Sequence, residues 1–115
     1  MTNSRQKGKR GELELAKFIR GFGFPARRGQ QYSGANGDAD VVGVPGFHIE
    51  CKRTNTVRLR DWLSQASRDA KKGEIPIIFW REDGGEWIAI FKGDHAMEMI
   101  AALNKFIGGN DGEGR

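Results

Sequence analysis

Residues 37–53 read GDADVVGVPGFHIECKR, and the fold turns on how this stretch is divided. Pro45-Gly46 marks a tight turn between two strand-like runs, Asp40 to Val44 and the run that continues to Arg53, so the stretch reads as a hairpin bringing Asp40 towards Glu50. Side chains alternate along a strand, which puts Glu50 and Lys52 on one face and Ile49 and Cys51 on the other. A carboxylate pair such as Asp40 and Glu50 suits a hard divalent cation, and an ammonium beside it can position or activate a water. The chemistry this suggests is metal-dependent phosphodiester cleavage. The competing reading is an edge strand whose polar face lies in water, with Glu50 and Lys52 merely solvated.

The surrounding charge favours the first reading. Residues 1–31 carry eight Lys or Arg against Glu12 and Glu14, a net of +6, and residues 32–50 carry Asp38, Asp40 and Glu50 with no base. Residues 51–72 return to +5, with seven bases against two acids, and residues 73–115 fall to −4, with four against eight. An acidic focus between two basic blocks is the pattern of a polyanion-binding protein with a cation site. The alternative is that the basic blocks are ordinary solvated helix faces.

With 115 residues, 37% of them apolar, the chain has material for one core. It has neither a signal-peptide pattern nor a run of about eighteen apolar residues. The expectation is a soluble cytoplasmic protein. Cys51 is the only cysteine, so no intrachain disulfide can form, and its position opposite Glu50 and Lys52 makes it a buried strand residue rather than a nucleophile.

Residues 1–7 read as a mobile basic arm. From about Gly8 to Gly21 a helix is expected, with Leu15, Ala16, Phe18, Ile19 and Phe22 on one stripe. Glu12 falls within that stripe, where a carboxylate is costly unless paired or metal-bound, whereas Glu14 lies on the far side. Glu12 can also be read as a first-turn acid that favours the helix dipole. Ala26 to Gln31 suggests a short strand, with Arg27 and Arg28 on opposite faces, followed by a flexible loop from Ser33 to Gly37. A second helix is predicted over Leu59–Lys72, strands over Ile75–Arg81 and Glu86–Lys92 joined by a turn at Asp83-Gly84-Gly85, and a helix over His95–Ile107 capped by Asp94. Both late strands are apolar on both faces, so they should be covered on each side by helices or by another subunit.

In this order of elements the chain resembles the PD-(D/E)XK nuclease superfamily. Ala39-Asp40 stands where that superfamily usually has Pro-Asp, Glu50-Cys51-Lys52 stands as its E-x-K, and KGKRGELELAKFIRGFGF is similar to the first helix of archaeal-type and bacteriophage Holliday junction resolvases. RRGQQYSG, PGFHIECKR and WLSQASRDA carry the same likeness, which covers about residues 7–92. The resemblance implies an α/β fold with a restriction-endonuclease-like αβββαβ core, in which a mixed central sheet is flanked by helices. Together with the length and composition, the expectation is a single nuclease domain over residues 1–107 with the basic arm at 1–7, and a disordered tail at 108–115.

The site residues it implies are as follows. Asp40 and Glu50 would bind Mg²⁺ or Mn²⁺ with the Cys51 carbonyl, Glu12 would complete the metal site, and Lys52 would orient the attacking water. Ser33 matches a mobile-loop serine and Gln65 a second-helix glutamine that faces the site. Asp38 competes with Asp40 for the metal, and His48 shares the Glu50 face. Lys7, Lys9, Arg10, Arg27, Arg28 and Arg53 would hold DNA phosphates.

The expected activity is that of an endodeoxyribonuclease acting as a homodimer on four-way junctions, in the cytoplasm of a bacterial host if the chain is phage-encoded. The dimer surface is expected on the doubly apolar strands, with Trp80, Trp87 and Phe91. The alternatives are a nuclease of the same fold acting on flaps, nicks or duplex, and a DNA-binding module without chemistry.

Overall fold

The computed structural model describes residues 4–30 and 39–108, with side chains from residue 6. Helix α1 (Ser4–Arg20) carries Leu15, Ala16 and Ile19 at helical spacing, and these three are buried. Lys17 and Arg20 lie in its last turn, where cations meet the negative end of the helix dipole. It begins within the segment expected to be a mobile arm, since Ser4 to Lys7 are already helical. Glu12 consequently lies in the third turn, too far from the N-terminus for the first-turn reading to hold. Phe18 and Phe22 are at the open edge of the stripe rather than inside it, 40% and 71% exposed.

The strands are β1 (Arg27–Arg28), β2 (Val41–Val42), β3 (Phe47–Arg53), β4 (Ile75–Arg81) and β5 (Ile88–Ile90), and they form one sheet in chain order. β1, β2 and β3 are antiparallel neighbours, β3 and β4 are parallel, and β5 returns antiparallel on β4. Helix α2 (Leu59–Asp69) makes the crossover that a parallel pair requires. The sheet is therefore mixed and flanked by helices, as expected. β3 is its third strand of five, so the edge-strand reading of Glu50 and Lys52 fails.

Alternation along β3 and β4 divides the interior into two layers. Ile49 and Ile77 join Leu15, Ala16, Ile19, Ala26 and Val41 beneath α1, while Ile78 packs with Trp62 and Ala66 beneath α2. β4 is covered on both faces, as its sequence suggested. β5 is shorter than expected and is the sheet edge, with Ile88 44% exposed. Trp87 and Phe91 pack against the α1 layer, and Trp80 packs in the α2 layer, where its indole N–H donates to the Thr54 carbonyl at 2.8 Å. All three are half-buried against the chain's own layers.

Two glycines set close approaches. A side chain at Gly11 would meet the Arg53 Cγ at 2.5 Å, so its absence lets α1 lie against β3. Gly43 has φ of +108°, and a Cβ there would lie 2.3 Å from the Pro25 carbonyl oxygen, so β2 ends where the chain turns through a conformation open to glycine. The last helix, α3 (Gly93–Gly108), contains no buried residue. Asp94 falls in its first turn rather than at its cap. No helix among the described residues is long and apolar enough to cross a membrane.

Candidate active site

The register of β2 and β3 builds the centre. Val41 pairs with Ile49, and in an antiparallel ladder the next pair outward is Asp40 with Glu50. The two carboxyl groups share a side-chain hydrogen bond, and the Cys51 backbone N–H donates to Asp40 Oδ2 at 2.8 Å. Burial, then the charge and the hydrogen bond of Glu50, push the Asp40 carboxyl up from 3.8 to about 8. Burial also acts to raise Glu50, but hydrogen bonds from His48 and Asp40 and the charges of His48 and Lys52 outweigh it and leave Glu50 below its ordinary value. At neutral pH one proton is thus held by Asp40 against an ionised Glu50.

His48 closes the other side of Glu50. It is buried, its Nε2 lies 2.6 Å from Glu50 Oε2, and its Nδ1 lies 3.8 Å from a Glu74 carboxylate oxygen. The Glu50 hydrogen bond raises the His48 pKa against the opposing effect of burial. Lys52, two residues on, places its ammonium 5.9 Å from the centre of the Trp62 ring, a cation–π contact that ties β3 to α2. Burial, with the nearby Asp40 and Glu12 charges, pushes the Cys51 thiol upward, so it is a protonated packing residue and not a nucleophile.

Glu12 is brought near, but it is engaged. Arg28 Nε donates to its Oε1 at 2.7 Å, with the carboxylate side chain 15% exposed, while its charge still reaches Asp40 and adds to the upward shift there. The inward acid of the first helix thus has a cationic partner, which removes the cost that singled it out. Arg28 is correspondingly occupied. Among the described residues, no group of three or more His, Cys, Asp and Glu side chains stands in an arrangement that could hold a metal ion. The acidic centre is a pair, Asp40 and Glu50, with the Cys51 carbonyl on the same strand.

The remaining sequence candidates separate. Ser33 and Asp38 lie outside the described residues. Gln65 is exposed on α2. Arg53 is on the opposite face of β3 from Glu50, donating to Glu14 at 3.0 Å and to Asp83 at 3.1 Å, and Arg81 reaches the same Glu14 oxygen at 3.4 Å. This network pins α1 to the sheet, and Glu14, read as a far-side residue, is its centre. Lys7 lies 3.9 Å from Asp83, and Lys9, Arg10 and Arg27 are exposed. The His48 contact was visible in the sequence only as a shared strand face, and the Glu12–Arg28 pair, 16 residues apart, had no local signal.

No curated protein and no solved structure matches the chain. One family does, over residues 3–107, and that span includes α1, the whole sheet and the Asp40–Glu50–Lys52 constellation. The chain belongs to the family described as "Phage putative PDDEXK endonuclease".

Proposed function

We propose that the chain is a metal-dependent DNA endonuclease that hydrolyses phosphodiester bonds, and that it acts as a homodimer on four-way junctions. The observation that carries the reading is the Asp40–Glu50 pair, held so close and so buried that one of its carboxyls keeps a proton to about pH 8. A centre short of positive charge in this way fits a divalent cation, which would replace that proton. Asp40 and Glu50, with the Cys51 carbonyl, would hold Mg²⁺ or Mn²⁺; Glu12, held by Arg28, contributes charge nearby. When bound, the ion would supply Lewis-acid stabilisation of the charge that develops on the phosphate.

The chain's own residues supply the rest. His48 fixes the Glu50 carboxylate by its 2.6 Å contact. Lys52, held against Trp62, adds positive potential on the Glu50 face and would orient the attacking water. Lys9, Arg10 and Arg27 bind phosphates of the DNA strands, joined by Lys7, whose 3.9 Å contact with Asp83 is loose, whereas Arg28 and Arg53 are committed to close acidic partners. Junction specificity is supported by the likeness of the first helix to those of junction resolvases, and by the need for two sites to make paired incisions when one chain carries one centre.

The test is cleavage of end-labelled four-way junction and of duplex of equal length. Symmetric nicks in the junction are expected with Mg²⁺ and none with excess chelator. Glu50→Gln and Lys52→Ala should each lower cleavage by about a hundredfold or more while DNA binding persists. Normal cutting by both variants removes the site, and equal cutting of junction and duplex leaves a general nuclease.

A further inference from the structure

The last helix and the groove beside its first turns are apolar surfaces of matching character on one chain. The groove lies on the α1 side of the sheet, is about 390 Å³ in volume, and is lined by side chains that include Phe18, Phe22, Phe24, Phe47, Phe79 and Phe91. The chain's own α3 reaches it only through Met99. Beyond that point every residue from Ile100 to Ile107 is exposed, and the molecule extends 61 Å along one axis against 31 and 27 Å along the others. Met97, Ile100, Leu103, Phe106 and Ile107 are open by 61, 48, 57, 81 and 66%.

From these surfaces we infer that α3 is an exchanged arm: two copies pair about a twofold axis, each laying the outer half of its α3 into the Phe-lined groove of the other. This rests on the proposed homodimer and names its interface. A 16-residue helix is about 24 Å long, and with its first turns joined to β5 by two residues, its outer half projects beyond the groove of its own chain. A second copy presents both a groove for this helix and a helix for this groove, which is what an isologous interface requires. The area suffices. The three apolar side chains of that outer half, Leu103, Phe106 and Ile107, open by 57, 81 and 66%, expose on the order of 400 Å², taking side chains of roughly 150–250 Å². With the groove wall counted, each partner can bury on the order of 500 Å², so the two together reach about the 1,000 Å² that a specific interface needs.

The experiment uses the full chain and three variants, Phe106→Asp on the helix, Phe22→Asp in the groove and Ile88→Asp on the exposed sheet edge, measured by light scattering and by sedimentation across concentration. The expected result is twice the 12.8 kDa chain mass for the wild type. Phe106→Asp and Phe22→Asp should each weaken dimerisation by about thirtyfold or more, as for side chains central to an interface, while Ile88→Asp stays dimeric. Mixing the helix variant with the groove variant should restore dimers, because one α3 and one groove in the mixed pair are intact. Both sites are exposed in the single chain, so circular dichroism of the variants should match wild type; a variant that loses its fold shows that the site is buried within the chain and overturns the exchange. A dimer indifferent to Phe106→Asp and Phe22→Asp, or weakened by the helix variant alone, overturns the groove–helix exchange and leaves the homodimer standing. A monomeric wild type overturns both, while metal-dependent cleavage remains a separate measurement.

Discussion

Replacing Asp40 by Asn should stabilise the protein, and by an amount that grows with pH. The amide has the shape of the protonated carboxyl, its oxygen can still accept from the Cys51 N–H, and its NH₂ can donate to Glu50 as the held proton does. The folded wild-type chain keeps a proton on Asp40 to about pH 8, whereas the unfolded chain loses it near 3.8. The group's contribution is therefore intact below 3.8 and falls away as pH climbs to about 8, by up to about 1.4 kcal/mol per pH unit. Asn has no such dependence. The stability gap between variant and wild type should widen from pH 5 to pH 8 by at least about 0.5 kcal/mol per unit, once solvent relaxation and the Glu50 coupling have reduced the full slope, and then level off. In a domain of this size that is about 2 °C or more in Tm per pH unit. Calorimetric melts of both proteins at pH 5 to 9, with chelator present to exclude bound cations, give the gap directly. A gap that stays constant over this range, or that widens as pH falls, would show that Asp40 is ionised in the folded chain and would remove the argument for a charge-starved centre.

Further outcomes test the fold and the DNA surface. Leu15→Ala, at a fully buried position under the sheet, should cost about 2–5 kcal/mol in chemical denaturation. Gly43→Ala should destabilise clearly more than Gly23→Ala: both glycines have positive φ, but only the Gly43 Cβ would strike backbone, at 2.3 Å from the Pro25 oxygen. Equal losses in the two would mean that strain in φ alone governs the turn. Arg27→Ala should reduce the salt dependence of DNA binding by about one ion in slope, and an unchanged slope would take Arg27 off the phosphate surface.

The parts of this molecule that were legible in its sequence are those governed by short-range rules. β4 runs over Ile75–Arg81 as the apolar run predicted, and the Asp40–Glu50 approach followed from strand alternation across one glycine-marked turn. The start of α1 was missed because residues 4–7 are polar, and solvated helical turns leave no apolar period to read. β2 proved shorter than Asp40 to Val44 because Gly43 leaves the strand conformation, a consequence of the approach of Pro25 from 18 residues away. The partners of Glu12, Glu14 and Arg53 were hidden for the same reason, since pairs such as Arg53 with Glu14 span 39 residues. Apolarity itself misled in β5 and α3. It records that a surface needs cover but not that the chain's own layers are already filled, so Trp87 turned inward and Leu103 stayed outside.

The parallel pairing of β3 with β4 also governs when the centre can exist. Glu50 lies beside Ile78, and every rung of that ladder joins residues 28 apart in sequence, with the whole of α2 between them. Antiparallel hairpins close locally, whereas a ladder of this kind must wait for its second strand and bear the entropy of a long loop. On a ribosome, the acids at 40 and 50 emerge well before Ile75. Until the later strand is docked, β3 has an open edge, Ile78 is not yet beneath the α2 layer, and the surroundings that burden Asp40 with its proton are not in place. Assembly of the acidic centre is thereby coupled to near-completion of the domain, and a chain cut short before Ile75 would carry the E-x-K sequence without the folded environment that pairs Asp40 with Glu50.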